Sequence, residues 1–227
     1  MEQKLLNLFE GNSELFITTS LTGEVDERGK KQVKVLTVHE PVTLELWQKH
    51  LKGETRIGIK PENGDVCKWG CIDIDPRNHT TFSEKKIVDI IRDNKLPLIV
   101  VRSKSGGLHL FLFLNDWTPV KDVLKKLNEW NNNFFHSDEV FPMNKCLNMP
   151  YFNMDQTTEF AYNDNNTPVL ISNFLEIVSN KTVSLEQLNN IKVKDYEPET
   201  DWKHYPPCVQ KMISEKWEGN HRNDLLF

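Results

Sequence analysis

Cys71-Ile72-Asp73-Ile74-Asp75-Pro76 is the stretch that decides the fold. Apolar and acidic side chains alternating at a period of two describe a β-strand with one buried face. Ile72 and Ile74 then point into a core, while Asp73 and Asp75 project together from the other face. Pro76 has no N–H to continue a ladder and closes the strand. Two neighbouring carboxylates repel, so their ionised forms call for an opposite charge. A divalent cation supplies one, and an oxygen-only donor set selects Mg²⁺ or Mn²⁺ over Zn²⁺. The plainer alternative is a solvated strand end with Arg77 or Lys68 as partner.

Working downstream, Thr81 and Glu84 predict a capping box that opens a helix with Ile87, Val88, Ile90 and Ile91 on one face. Pro97 ends the connection and Leu98–Ser103 is a β-branched strand. Ser105-Gly106-Gly107 turns the chain, and Leu108–Leu114 returns antiparallel. Thr118-Pro119 starts a helix with proline at the first helical position, and Val120, Val123, Leu124, Leu127, Trp130 and Phe134 form its apolar stripe. This β-α-β-β-α order is most of an RRM-like split-βαβ unit, whose last strand is expected from Leu147–Phe152 or Glu159–Tyr162.

Upstream, a helix is expected through Phe9, with strands near Leu15–Ser20 and Val33–His39 around the charged loop Gly23–Lys31. Thr43 caps a helix carrying Leu44, Trp47 and Leu51, and Ile57 and Ile59 mark a short strand closed by Pro61. The expected fold class is α/β of the α+β kind, an N-terminal α/β unit packed on the split-βαβ unit over residues 1–180. Residues 181–205 read as a polar linker. Residues 206–227 read as the start of a C-terminal helical segment, with Val209, Met212, Ile213 and Trp217 on one face and Gly219 as its stop. The apolar ending at Phe227 reads as a break within a longer chain.

The 227 residues are enough to bury a core without staples. Four cysteines, Cys67, Cys71, Cys146 and Cys208, are too sparse for a disulfide scaffold and read as reduced thiols of an intracellular, cytoplasmic protein, in host cytoplasm if the source is viral. The sequence shows neither a membrane span nor the apolar run of a signal peptide, so no membrane partner is expected. A formal net charge of −5 argues against coating nucleic acid by bulk charge, but not against a local grip.

Charge is unevenly placed. From Asn94 to Asn115 there is no Asp or Glu, whereas Lys95, Arg102, Lys104 and His109 are present. Within that island Gly106 and Gly107 let backbone N–H groups turn toward an anion, and Arg102, Lys104 and His109 add donors. Taken alone, His109 on a face with Phe111 and Phe113 is a satisfied core histidine, and the turn a plain hairpin loop. Taken with Asp73 and Asp75, one helix away in the same sheet, it places an anion cradle beside a cation site, as a nucleoside triphosphate requires. Asp138 is the candidate third acid and Glu139 its alternative; a third acid lets two ions sit about 3.5–4 Å apart.

Other signals carry less. Cys67-x-x-x-Cys71 with His79 nearby lacks standard zinc spacing. Trp69, Trp117, Trp130 and Trp217 could stack on bases, although Trp130 lies on an apolar stripe. Lys30-Lys31 and Lys125-Lys126 read as solvated pairs.

As a set, Asp73-x-Asp75, the Ser-Gly-Gly-x-His hairpin ending at His109, and Asp138 resemble the three motifs of the archaeo-eukaryotic primase superfamily. The likeness is closest to the primase-polymerase domains of phages, plasmids and conflict or CRISPR-associated systems. His50-Leu51-x-Gly53, Ile57-Gly58-Ile59-x-Pro61, Arg102-Ser103-x-Ser105-Gly106, Asp138-Glu139-Val140-Phe141-Pro142 and Asn148-Met149-Pro150-Tyr151 also fit. Pro206-Pro207-Cys208 and Gly219-Asn220-His221-Arg222-Asn223 are similar to the helical segment that follows such domains, often ahead of a helicase. The resemblance implies template-directed nucleotidyl transfer from NTP or dNTP by two-metal catalysis, making primers on single-stranded DNA in replication, with a fused or associated helicase as a further partner. It implies that Asp73, Asp75 and Asp138 hold Mg²⁺ or Mn²⁺. Ser105, Gly106, Gly107 and His109 would hold the triphosphate, and Arg102 and Lys104 would contact phosphate or template. Asn144 stands where such domains often carry Gln, and Met143 where a polar residue is common. The competing readings are a nucleotide-sugar transferase using the same Asp-x-Asp, a metal-dependent nuclease, and a non-catalytic RRM-like single-strand binder.

Overall fold

The structure, a computed structural model, describes residues 1–25, 31–78 and 83–193, of which residues 20–25, 31–33 and 78 by backbone alone. Helix α1 (Glu2–Leu8) leads into the hairpin of β1 (Phe16–Val25) and β2 (Lys31–Val38). Helix α2 (Leu44–Leu51) is capped by the Thr43 hydroxyl, which accepts from the Leu46 N–H. Strands β3 (Arg56–Ile59), β4 (Glu62–Asn63) and β5 (Val66–Ile74) follow. Then come α3 (Glu84–Asp93), β6 (Leu98–Arg102), β7 (Leu108–Pro119), α4 (Val120–Trp130) and β8 (Glu139–Phe141). Strands β9 (Leu147–Asn148), β10 (Ala161–Tyr162) and β11 (Pro168–Val169) precede α5 (Ile171–Lys181) and α6 (Leu185–Asn190).

Strand β5 organises the larger sheet. It pairs antiparallel with β7 along one edge, and along the other with β4 at its start and β8 at its end. Strand β7 pairs in turn with β6. The order β6-β7-β5-β8, with α3 and α4 in the connections, is the expected split-βαβ arrangement. The closing strand is not the expected one. It is β8, a strand of three residues, while Leu147–Asn148 joins β3 in the other sheet and Ala161–Tyr162 extends the edge beside β6. The smaller sheet has the order β2-β1-β3-β9.

The alternation in β5 separates two cores. Ile72 and Ile74 pack with Val88, Ile91, Leu110, Leu127 and Trp130 beneath α3 and α4. On the other face Trp69, Cys71, Phe111 and Phe113 pack with Phe9, Trp47 and Phe174, tying α1, α2 and α5 to the sheet. Phe9 is the hub: its ring lies within 5.3–5.7 Å of Trp47, Trp69, Phe111 and Phe113.

Three local expectations change. Ser83, not Thr81, caps α3 by accepting from the Lys86 N–H; Thr81 itself lies outside the described residues. Pro119 is the last residue of β7, and α4 begins one residue later. Lys126 is buried rather than solvated, because its ammonium reaches Glu129 and the Ile191 carbonyl that ends α6. Within the stretch read as a linker, α6 carries a complete capping box between Ser184 and Gln187, and Leu188 is fully buried. The chain divides at residues 194/195, and the second unit, with the expected helix around Trp217, lies outside the described residues. Among the described residues no helix is long and apolar enough to cross a membrane.

Candidate active site

One residue along β5 changes the chemistry of the sheet. Cys71 is flanked across the ladders by Phe111 and Phe141, all buried. Two residues on and on the same face, Asp73 is flanked by His109 of β7 and Glu139 of β8. Directly opposite side chains on one face approach to about 5 Å, so Glu139, Asp73 and His109 form a polar row where the apolar rows end. Asp75, Arg77, Ser105, Ser137 and Asp138 join Asp73 and Glu139 around a cleft of about 420 Å³.

Asp73 is half-buried at the floor of this group. Burial, then Glu139, then Asp75, push its carboxyl up to about 6. His109 Nε2 lies 3.5 Å from Asp73 Oδ1. Burial pushes the histidine down to about 4, so its ring is neutral near pH 7. It also stands edge-on to Phe111, so it is at once a core histidine and a neighbour of the cleft.

Asp75 and Glu139 are held by exposed cations. Arg77 Nε donates to both Asp75 carboxylate oxygens at 3.0 Å, and the Arg77 backbone N–H donates to Oδ1 at 3.0 Å. The strand-end pairing weighed as the plain alternative is therefore present. Lys145 Nζ lies 3.0 Å from Glu139 Oε1. Asp138 is exposed at the cleft rim.

The glycine hairpin is shaped by two different demands. Gly106 has φ +86°, a left-handed conformation that L side chains rarely adopt. A Cβ on Gly107 would lie 2.2 Å from the Ile74 carbonyl oxygen, so only glycine lets the hairpin close onto the end of β5. That closure brings Ser105 to the cleft, where its hydroxyl is 3.2 Å from that of Ser103. The Gly106 N–H donates to the Ser103 carbonyl, so this glycine shapes the turn instead of presenting a donor.

Two of the expected contacts, Arg102 and Lys104, lie outside the cleft lining. Arg102 is not among the residues lining the cleft; its guanidinium lies 3.6 Å from Glu84 and donates to the Thr158 carbonyl at 3.2 Å. Lys104 is exposed and also outside the lining. Arg77, considered from sequence only as an ion-pair partner, is the cation that does line it. Ser137 carries no local sequence signal of a site residue, yet its hydroxyl donates to the Asp73 carbonyl oxygen.

The donor set around the cleft is oxygen only and acid-rich, which fits Mg²⁺ or Mn²⁺. Among the described residues no three His, Cys, Asp or Glu side chains are yet gathered to share one ion. Asp75 and Glu139 are turned to Arg77 and Lys145 instead. Such exposed pairs are worth about 0–1 kcal/mol, so rotating these carboxylates inward costs little against a divalent charge. Cys67 and Cys71 do not form a zinc pair: they are buried in opposite cores, with burial pushing the Cys67 thiol up to about 12 and that of Cys71 well above its ordinary value. His79 lies outside the described residues. Trp69 and Trp130 are fully buried, and Lys68 stands over the ring of Trp117 at 5.5 Å.

The class of protein is defined by a split-βαβ sheet with an acid row at the end of its first strand, closed over by a glycine hairpin. Residues 21–150, more than half of the chain, match the family described as TOTE conflict system, Archaeo-Eukaryotic Primase domain, and the chain belongs to that family. No curated protein matches the chain.

Proposed function

We propose that this protein is a metal-dependent primase-polymerase that joins NTPs or dNTPs on a single-stranded DNA template. The observation that carries the reading is the shared cleft: Asp73, Asp75, Asp138 and Glu139 face the Ser105 hairpin across about 420 Å³. Asp73 and Asp75, with Asp138 or Glu139, would hold the Mg²⁺ or Mn²⁺ ions. Bound there, such ions would supply Lewis-acid stabilisation of the triphosphate and a more acidic attacking hydroxyl. Ser105 would donate its hydroxyl to a phosphate oxygen. His109, neutral and beside Asp73, would offer an N–H between carboxylate and phosphate. Arg77, once released from Asp75, would bring a permanent positive charge to the leaving diphosphate. The family's description names a conflict system, so the setting we favour is conflict with foreign genetic elements and not replication. A helicase remains part of the proposal as a fused or associated partner.

The competing readings find less support. A nucleotide-sugar transferase would bring a parallel Rossmann half, whereas every pair in the smaller sheet is antiparallel. An RRM-like binder needs exposed aromatics on its central strands, whereas Phe111 and Phe113 are buried under Phe9 and Phe174. The test is synthesis on unprimed single-stranded DNA with labelled NTPs or dNTPs and Mg²⁺ or Mn²⁺. Product is expected from the wild type and none from Asp73→Ala/Asp75→Ala. Undiminished synthesis by the double variant refutes the site, and no synthesis by the wild type refutes the activity.

A further inference from the structure

We infer that Asn131, outside the cleft and buried at the end of α4, is the positioning residue that sets the third acid against Asp73. The inference rests on the metal-binding reading of the cleft. Asn131 begins a π-helical turn, Asn131–Phe135, that ends at His136 in the left-handed region at φ +53°. Its backbone carbonyl accepts from the His136 N–H at 2.8 Å. Its side chain then takes both backbone groups of the next residue: Oδ1 accepts from the Ser137 N–H and Nδ2 donates to the Ser137 carbonyl, each at 2.8 Å. Only a carboxamide offers one acceptor and two donors at this reach; Asp lacks the donor and Ala lacks both.

Ser137 passes the constraint on. Its hydroxyl donates to the Asp73 carbonyl oxygen and accepts from the Glu139 N–H at 3.3 Å. Strand β8 has three residues, and its ladder to β5 ends at the Asp73–Glu139 pair. The Ser137 bond to Asp73 adds a link beyond that last pair. Asp138 and Glu139 are therefore fixed relative to Asp73 from both sides, by the short ladder and by the Asn131–Ser137 latch. Without the latch, one of these two ties to Asp73 is lost.

The experiment is calorimetric titration of Mn²⁺ into the full chain, without nucleotide or DNA, alongside thermal unfolding. Asn131→Asp and Ser137→Ala should each weaken Mn²⁺ binding by roughly 10–100-fold, as loss of supporting hydrogen bonds around metal ligands does. The double variant should lose little more than either single one, because the two act through one chain of bonds. Leu188→Ala, a fully buried core truncation in α6, controls for stability and should keep wild-type affinity while folded. Wild-type affinity in folded Asn131→Asp and Ser137→Ala overturns the inference alone. An equal loss in Leu188→Ala overturns it too, because general loosening would then explain the effect. Absence of Mn²⁺ binding by the wild type overturns the metal reading and this inference with it.

Discussion

Acid should weaken this fold through one residue in particular, His50. Its ring is fully buried between α2, β3 and the segment after β9. Nε2 donates to the Pro150 carbonyl at 2.9 Å, and Nδ1 accepts from the Ile57 N–H at 3.2 Å. A backbone N–H can only donate, so Nδ1 must be bare, and a proton placed there would set two donors head-on. Burial first, and the Arg56 charge, push this histidine from 6.5 down to about 4, against the opposing pull of the Pro150 hydrogen bond. The folded state therefore binds the proton less readily than the unfolded chain. The stabilisation is complete above about pH 6.5 and is lost as the pH falls toward 4. The whole interval is worth about 3 kcal/mol, of which about 2 kcal/mol is gone at about pH 4.5. Urea unfolding of the wild type and of His50→Gln at about pH 7 and about pH 4.5 measures it. The glutamine keeps one donor and one acceptor but does not titrate. It should cost about 1–2 kcal/mol at pH 7 from imperfect geometry, yet lose about 2 kcal/mol less than the wild type on acidification. His109, also pushed down to about 4, titrates in both proteins and drops out of the difference. Equal pH dependence in the two proteins would refute the reasoning.

Four other outcomes are expected. Asp73→Asn should abolish nucleotidyl transfer while stabilising the fold by about 1–3 kcal/mol near pH 7, because it removes a carboxylate that burial and two acids disfavour; thermal unfolding showing a lower Tm would contradict this. Asp138→Asn and Glu139→Gln, assayed for synthesis side by side, should differ by at least about 100-fold, and undiminished synthesis by both would mean that neither is the third ligand. Arg77→Ala should tighten Mn²⁺ binding several-fold by freeing Asp75, read by titration calorimetry. Glu159→Gln should lower Tm by roughly 6–20 °C, since it leaves the buried Arg56 guanidinium, otherwise forked onto Glu159 and stacked 4.1 Å from the Phe152 ring, without its counter-charge.

Much of the fold was legible because its elements carry their own periods. Ile72-Asp73-Ile74-Asp75 declares which face is buried, and Val123, Leu127 and Trp130 declare the face of α4. The closing strand was not legible, since Glu139-Val140-Phe141 is too short to show a period before Pro142. Leu147–Asn148 and Ala161–Tyr162 read equally well as candidates, and only the tertiary pairing shows that they serve other edges. Ser83 was passed over because Thr81 three residues before Glu84 is the stronger local pattern. In the site, the acids and the glycine hairpin were legible because both backbone and charge constrain them. Arg102 was not, because a long side chain at a strand end can reach either way, and the carboxylate of Glu84 and the carbonyl of Thr158 decide its direction. Ser137 could not be found locally: its partner Asp73 is 64 residues away in the chain.

The face of β5 that holds the acids also bears on how an acidic chain would serve the proposed nucleotide site. Trp69, Cys71 and Asp73 lie on one face, and the rows across them run from apolar to polar over two residues. Helices α1 and α5 cover the apolar rows through Phe9 and Phe174 and leave the last row at the cleft. Asp73 is thus buried on the side of the core and open on the side of the cleft, which is what lifts its carboxyl to about 6. A carboxylate in that position is costly to the fold at neutral pH, and the cost falls only when a positive charge arrives in the cleft. The net charge of −5 therefore says little about nucleic acid. The relevant quantity is the local field at one strand end, where Asp73, Asp75, Asp138 and Glu139 gather and Arg77 pairs with Asp75.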